Sequence, residues 1–406
     1  MNVLVVPLLK SKLKDPSDSS NYRPIAIATS ASKIFENLMF NRINKFLHTS
    51  DNQFGFKPKH STELCIFALK EIINYYRNLN TPVYLCFIDI KSAFDRISYW
   101  KLFVKLIERD TPLYIVLMLK FWYTSQDLFV GWGNFQSEPF KMKNGIRQGS
   151  LLSPHLFNVY VDDLNFRLNE KGVGCHIAGL PMNNLSYADD LVLISPSPAA
   201  SNDLLGVCDE FAKENYVTFS STKSVCMRIL PNNYMILRQP SIYLSGVKLS
   251  FVESFTYLGH LIVSDFSDDA DILKENRKLC ARGNCLIRKF NFCNVDVKCN
   301  LFKTYCYSLY CSSLWSMHKK STFNRLKVNY NNIMRRLMGV PKFSSASFLF
   351  GSLGVRSLKE QVRAVQFSMM ERVKSSSNML LNTLLQSEAR LQSSLWQCWQ
   401  NSLFLF

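Results

Sequence analysis

Leu185-Ser186-Tyr187-Ala188-Asp189-Asp190-Leu191-Val192-Leu193-Ile194-Ser195 is the stretch from which the rest of the chain can be read. Two β-prone runs, 185–188 and 191–194, flank two adjacent aspartates, a pattern that predicts a hairpin with both carboxylates at its turn. Adjacent acids repel each other and add nothing to a core. They make chemical sense where a divalent cation stands between them and a polyphosphate, because hard cations take oxygen ligands and in-line phosphoryl displacement is often run by a metal pair. The same aromatic-x-Asp-Asp form recurs at Tyr160-Val161-Asp162-Asp163. Around it Leu156, Phe157, Tyr160, Val161, Leu164 and Leu168 fall at helical spacing, so that copy is expected on a helix, with its acids near a solvated face.

Composition sets the frame for this site. The 406 residues are 47% hydrophobic and 19% charged, which is globular composition, enough for two or three domains, and excludes a disordered tail. A net charge of +17 points to a polyanionic partner, and its distribution says which kind. Within residues 274–342 fifteen Lys and Arg stand against only Glu275 and Asp296. Such a concentration favours a nucleic-acid surface over a merely solvated basic face. The twelve cysteines include no Cys-x-x-Cys pair, so no zinc ribbon or knuckle is expected, and they read as reduced intracellular thiols, mostly in the core. Residues 1–9 are apolar but lack the basic flank and small-residue cleavage site of a signal peptide. The apolar run 113–123 is interrupted by Lys120 and is too short to span a bilayer, so no membrane segment is expected.

In chain order, residues 4–9 predict a strand that begins without a cap, as though inside a larger domain, and 10–21 predict a polar loop. Asn21-Tyr22-Arg23-Pro24-Ile25 follows. Ile34, Phe35, Leu38, Met39, Ile43, Phe46 and Leu47 then mark a helix. The loop Gln53-Phe54-Gly55-Phe56-Lys57-Pro58-Lys59-His60-Ser61-Thr62 either cradles phosphates or turns the chain, and Ser61 or Thr62 can cap a helix running to about Arg77. Residues 83–88 form an apolar run of the buried-strand type, ended by Asp89. An acid there is costly to bury unless paired or metal-bound; the competing reading is a helix N-cap, since 97–107 looks helical. In Asn144-Gly145-Ile146-Arg147-Gln148-Gly149-Ser150-Leu151-Leu152-Ser153-Pro154, two glycines let backbone approach a ligand closely, or form a plain turn, before a helix opens.

Taken together and in this order, these stretches resemble the reverse transcriptase of non-LTR (LINE-type) retrotransposons. Residues 21–25 and 53–62 look like its fingers motifs, 87–95 its first catalytic motif, 144–154 its template-and-substrate loop, and Tyr187 to Asp190 its catalytic hairpin. Lys223, in Ser221-Thr222-Lys223-Ser224, matches the lysine motif, and Phe255-Thr256-Tyr257-Leu258-Gly259-His260 the primer-grip hairpin. The resemblance implies a right-hand polymerase of α/β (α+β) class: mostly helical fingers, a palm with an antiparallel sheet, and a helical thumb. The expected division is fingers 1–86, N-terminally truncated; palm 87–262 with an interleaved fingers segment; basic thumb bundle 263–342; and an unassigned C-terminal extension 343–406. The endonuclease that usually precedes the polymerase is not seen in the sequence.

What the resemblance implies chemically is RNA-directed DNA synthesis, in which a primer 3′-hydroxyl attacks the α-phosphorus of a deoxynucleotide and pyrophosphate leaves. Asp89 and Asp189 would hold two Mg²⁺ ions (Mn²⁺ as the alternative), with Asp190 assisting and the Ile90 carbonyl completing a shell. Lys223 would neutralise the leaving group. Phe94 would sit under the sugar and reject a ribose 2′-hydroxyl; Arg23 and Lys57 would face the triphosphate; Arg147, Gln148 and Gly149 would line the nascent base pair. The implied partners are an RNA template, a DNA primer and deoxynucleotides, in an intracellular setting, nuclear or in a cytoplasmic ribonucleoprotein. In the segment after residue 262, helices are expected at 268–290, 295–315 and 322–338, the last ended by Gly339 and Pro341. The rival readings are a catalytically decayed element that only binds nucleic acid, and an RNA-copying RNA polymerase, against which Phe94 argues.

Overall fold

The chain enters on β1 (Asn2–Leu9) and returns antiparallel on β2 (Tyr22–Ala28), in a computed structural model that describes residues 2–12, 14–231, 239–391 and 393–403. Of the stretches discussed above, Met1, Leu13 and residues 392 and 404–406 lie outside the described residues. Helix α1 (Ser30–Ile43) is N-capped by Thr29, and α2 (Thr62–Asn78) by Ser61, whose hydroxyl accepts the Leu64 N–H. β3 (Val83–Asp89) follows, and its six apolar residues are all buried because both faces are covered. Tyr84, Cys86 and Ile88 alternate into one core and Val83, Leu85 and Phe87 into the other, the period of two that a strand imposes.

After α3 (Tyr99–Glu108) and α4 (Leu113–Thr124), β4 (Asp127–Trp132) pairs parallel with β1 and antiparallel with β5 (Phe135–Gln136). The region expected as mostly helical fingers therefore also carries a four-stranded sheet in the order β2-β1-β4-β5. Helix α5 (Ser153–Glu170), with Pro154 in its first turn, precedes the small hairpin β6 (His176–Ile177) and β7 (Leu180–Pro181). The expected hairpin is β8 (Asn184–Tyr187) and β9 (Asp190–Ser195). Helix α6 (Pro198–Asn215) and β10 (Val225–Ile229) follow, then a hairpin of β11 (Tyr243–Leu244) and β12 (Val247–Lys248), then β13 (Ser250–Phe251). The central sheet runs β13-β10-β3-β9-β8, and β3 is antiparallel to both neighbours. The hairpin β14 (Ser254–Tyr257) and β15 (His260–Val263) stands beside it.

Helices α7 (Asp269–Phe290), α8 (Val295–Cys306) and α9 (Lys320–Met338) enclose a core of their own around Ile272, Leu279, Phe302, Tyr330 and Leu337. Gly339 ends α9 in a left-handed cap, as expected. Helix α8 stops well short of residue 315. The chain turns back there, with Cys311 at a positive φ of 56°, and buries Cys311 and Leu314 in the core behind the central sheet. The C-terminal region is α10 (Ala346–Ser352), α11 (Leu358–Lys374), α12 (Met379–Gln386) and α13 (Ser394–Leu403). Leu358 and Val362 of α11 lie in the α7–α9 core, while Met369, Met370 and Val373 lie behind the sheet, so one helix joins the two. Trp399 stacks on Phe67 of α2 and donates from Nε1 to the Ser313 carbonyl at 2.9 Å. All twelve cysteines are free. Among the described residues no helix is long and apolar enough to cross a membrane.

Candidate active site

The pairing of β3 with β9 sets Asp89 directly opposite Asp190, while Tyr187 pairs with Asp190 across the turn that carries Asp189. The three carboxylates therefore share one end of the sheet. The Asp89 backbone is fixed on both sides by one turn: its N–H donates to Ser224 Oγ at 3.1 Å, and its carbonyl accepts the Ser220 N–H at 2.8 Å. That turn presents Lys223, whose Nζ lies 3.6 Å from Asp89 Oδ2. The oxygen itself is buried and accepts no hydrogen bond, so Lys223 meets it by charge alone and a divalent cation would add a ligand bond there. Ile90 bridges to Phe219 beside it.

The electrostatics follow from this crowding. Burial pushes the Asp189 carboxyl above its usual range, Asp89 adds to the shift, and Arg23 on β2 works against it. Arg23 is exposed on β2 and reaches the cluster through its charge alone. Asp190 is raised to about 6, first by burial in the cleft and then by Asp189 and Asp89. A cleft of about 220 Å³ opens beside Asp89 and Asp190, walled by Leu191, Lys223, Phe255 and Tyr257. Among the described residues no group of three or more His, Cys, Asp or Glu is arranged to hold an ion alone.

The turn itself is strained at Ala188, a non-glycine residue at φ 56°. Gln53 holds it: Oε1 accepts the Ala188 N–H at 2.8 Å and the Gly55 N–H at 2.8 Å. A Cβ on Gly55 would stand 2.5 Å from the Ala188 nitrogen, so only glycine allows this approach. Gln53 and Gly55 thus brace the turn that carries Asp189. Gln53 and Ser224 are the supporting residues missed in the sequence reading; both lie inside stretches quoted there, but only three-dimensional pairing reveals the role.

Two expected substrate cations turn away from the cleft. Arg147 is buried and ion-paired to Glu36 of α1, which also accepts the Leu151 N–H at 3.0 Å. A buried guanidinium needs its carboxylate, and that need binds it inward. Lys57 donates to the carbonyls of Thr49 at 2.9 Å and Ser50 at 2.6 Å, and burial lowers its pKa. Gln148 meets β2 through its backbone, its carbonyl accepting the Ala26 N–H at 2.7 Å. Gly149, at φ 109°, lies where a Cβ would come within 2.8 Å of the Ala26 carbonyl oxygen. The loop's close approach is to its own chain. Phe94 stacks on Phe157, centroids 5.0 Å apart, so the ring is backed by the core.

The second Asp-Asp copy is on a helix, α5, as expected; Asp163 is partly exposed, but Asp162 does not lie near a solvated face. Asp162 is fully buried, accepting the Ser50 N–H at 2.9 Å and pairing with Arg109 Nη2 at 3.0 Å, while Asp163 pairs with Lys105. α5 is covered on more than one side, which the helical spacing alone did not show. Asp162→Ala is expected to cost about 2–4 kcal/mol of stability, by leaving the partly buried Arg109 and the Ser50 N–H without their carboxylate. Extension per folded molecule should stay within about threefold of wild type, as the altered carboxylate is remote from the chemistry. Urea unfolding with activity normalised to the folded fraction separates the two; a chemical loss as deep as that of Asp189→Ala would move the catalytic role to α5.

Residues 11–262 match the family described as "Reverse transcriptase (RNA-dependent DNA polymerase)". The RNA-directed DNA polymerase from mobile element jockey of Drosophila funebris is 25% identical over 91% of this chain and 41% of its own length. A probable RNA-directed DNA polymerase from transposon BS of Drosophila melanogaster is 26% identical over 93% of the chain and 43% of its own. The chain thus spans less than half the length of these curated relatives. A telomerase from Candida tropicalis, in complex with a fragment of telomeric RNA, aligns over the whole chain and 64% of its own at a TM-score of 0.48 and 11% identity. With the matched region ending at β15 and enclosing Asp89, Asp189, Asp190 and Lys223, the chain belongs to the reverse transcriptase (RNA-dependent DNA polymerase) family.

Proposed function

We propose that this chain extends a DNA primer on an RNA template with deoxynucleotides, as the polymerase part of a non-LTR retrotransposon protein. The observation that carries the proposal is the register that sets Asp89 against Asp190 beside a cleft, with Asp189 at the turn between β8 and β9. In this reading Asp89 and Asp189 are the principal ligands of Mg²⁺ and Asp190 assists. When bound, the cations lower the pKa of the attacking hydroxyl and steady the leaving oxygens. Arg23 draws the triphosphate toward the carboxylates, Lys223 releases Asp89 to meet the departing charge, and Phe94 sets the sugar. Phe255 and Tyr257 seat the primer terminus. Template and product place the chain in a ribonucleoprotein, in the nucleus or cytoplasm. A run-off assay on a heteropolymeric RNA tests this: alkali-resistant DNA of template length supports it, and tight duplex binding without product favours the decayed, binding-only reading.

The carboxylate shifts make a separate prediction. A carboxyl whose folded pKa is raised favours the fold while protonated and loses that contribution as pH rises through the folded value, here about 6 for Asp190. Divalent cation should offset the loss. The Mg²⁺-induced rise in Tm is therefore expected to be smaller at pH 5 than the roughly 1–3 °C at pH 7.5, and in Asp190→Asn to be reduced and to lose this pH dependence, since Asp89 and Asp189 remain. A rise independent of pH would contradict the assignment.

The α7–α9 bundle is read as the thumb that grips the duplex by its phosphates. Arg335 is not free for this, since Nε donates to the Ser344 carbonyl at 2.9 Å and Nη1 to Asn332 at 3.0 Å. Arg336, which spends only Nη1 on Asn284 at 3.3 Å, and Lys342 are exposed at the rim of a 330 Å³ recess. Reversing both to Glu should weaken binding alike for unrelated templates and flatten the slope of log K against log salt by roughly one to two units. A folded double variant with the wild-type slope would make this a solvated basic face only.

A further inference from the structure

The hairpin β14–β15, which walls the cleft, is anchored at its base by the sheet and at its tip by the helical bundle. At the base Phe255 stacks on Phe87 with centroids 4.3 Å apart, and Tyr257 lies 5.4 Å from the same ring, its hydroxyl 3.5 Å from Cys65 Sγ. The tip is Leu258–Gly259, two consecutive residues at positive φ, 47° and 84°. Its carbonyls are taken by side chains from outside the hairpin: Tyr310 Oη donates to Leu258 O at 2.6 Å, and Lys274 Nζ to Gly259 O at 2.8 Å.

The hydrogen-bond directions are fixed by chemistry. A phenol has one proton and the Leu258 carbonyl can only accept, so Tyr310 donates there and accepts from the Thr62 hydroxyl at 2.8 Å. Thr62 is the first residue of α2, so one phenol links the hairpin tip, the 307–315 turn and α2. Tyr310 is tied to α7 in turn, its N–H donating to Glu275 at 3.3 Å. Lys274 is a residue of α7 and is held by Asp271. Asp271 also accepts the Leu261 N–H of the hairpin at 3.0 Å and Trp315 Nε1 at 3.0 Å, and lies 3.0 Å from His260 Nδ1. Tyr310 to Leu258, Lys274 to Gly259, and Asp271 to Leu261 and His260 join the turn after α8 and helix α7 to the strand pair, and the remaining contacts of that turn tie it to α7 and α2.

We propose that Tyr310 and Lys274 are positioning residues that lock the Leu258–Gly259 tip to the bundle, so that where the bundle sits on a duplex sets where Phe255 and Tyr257 hold the primer terminus. The proposal rests on the reading that the cleft receives a primer 3′ end. Neither residue touches the reacting atoms. Each instead converts bundle placement into primer placement, through backbone carbonyls that a change of hairpin sequence would leave intact.

The test uses the full chain with a DNA primer carrying 2-aminopurine at its 3′ terminus on an RNA template, read for duplex affinity, terminal fluorescence and single-nucleotide incorporation. Tyr310→Phe and Lys274→Met should keep duplex Kd within about twofold and leave the nucleotide KM unchanged. Both should lose the terminal fluorescence change of the wild type, and incorporation at saturation should fall about tenfold, the scale of one net hydrogen bond. Lys274→Arg should restore both signals, since it keeps a donor. If either variant, folded, shows wild-type fluorescence and rate, the positioning role is overturned, and should Tyr310→Phe fail to fold, the lysine pair decides alone. A wild type that shows the fluorescence change lost in the variants, yet incorporates nothing, would refute the polymerase reading and leave the positioning role standing.

Discussion

Asp89→Ala and Asp189→Ala should each lower primer extension by about a thousandfold or more while leaving duplex affinity within about twofold. The asymmetry follows from where the energy of each process comes from. Stabilising the charge of a phosphoryl displacement is worth several kcal/mol, and about 4 kcal/mol corresponds to that factor. Affinity for duplex comes instead from Lys and Arg against phosphates, and neither aspartate contributes to it. Removing Asp89 also frees Lys223 from its carboxylate neighbour at 3.6 Å, which if anything adds a free cation near the duplex. Neither side chain is needed by the core: the Asp89 backbone bonds to Ser220 and Ser224 survive truncation, and Asp189 lies on a turn held by Gln53. Wild-type extension in either folded variant would contradict the assignment.

Phe94→Val should admit ribonucleotides, improving their use relative to deoxynucleotides by about a hundredfold, while deoxynucleotide use survives. A steric gate works only if the gate cannot swing, and here Phe157 backs the ring at 5.0 Å. A pocket that merely fits its substrate discriminates weakly against an extra hydroxyl, whereas a rigid wall at the 2′ position excludes it. The truncation also removes packing and should cost about 1–3 kcal/mol, so discrimination has to be compared between folded samples. Competition between dTTP and UTP on one template gives the ratio directly. Unchanged discrimination in an active variant would remove the basis for calling the product DNA.

The parts of the site that were legible in the sequence are those set by local pattern. The hairpin 185–195 reads from alternating β-prone residues around two acids, and β3 reads from six apolar residues ended by an acid; their antiparallel pairing then brings Asp89 to Asp190. The third bundle helix reads from its apolar spacing and Gly339, whereas the second reads nine residues too long, to 315 against an observed end at Cys306. What failed are properties that depend on distant partners. The resemblance of their motifs turns Arg147 and Lys57 toward the substrate, but Glu36 and the Thr49 and Ser50 carbonyls claim them. Asp162 looked solvated until Arg109 and Ser50 covered it.

The same reasoning explains the C-terminal region, which carries no motif. Its role is read from burial: Leu380, Leu384, Trp396 and Trp399 fill the core behind the sheet, and Ser393 donates to the buried Glu71 of α2 at 2.9 Å. Burial raises the Glu71 carboxyl to about 7, and that hydrogen bond opposes the shift. Aromatic residues without period or motif are signals of packing, and packing needs a partner surface before it can be assigned.

Single-nucleotide incorporation on an oligo-dT primer paired with poly-rA, with Mg²⁺ and dTTP, tests the account most directly when wild type and Asp189→Asn are run beside a binding measurement on the same samples. Both should bind the duplex equally, and only the wild type should add a nucleotide and release pyrophosphate. A wild type that binds and adds nothing, or an Asp189→Asn variant that adds it at the wild-type rate, would contradict it.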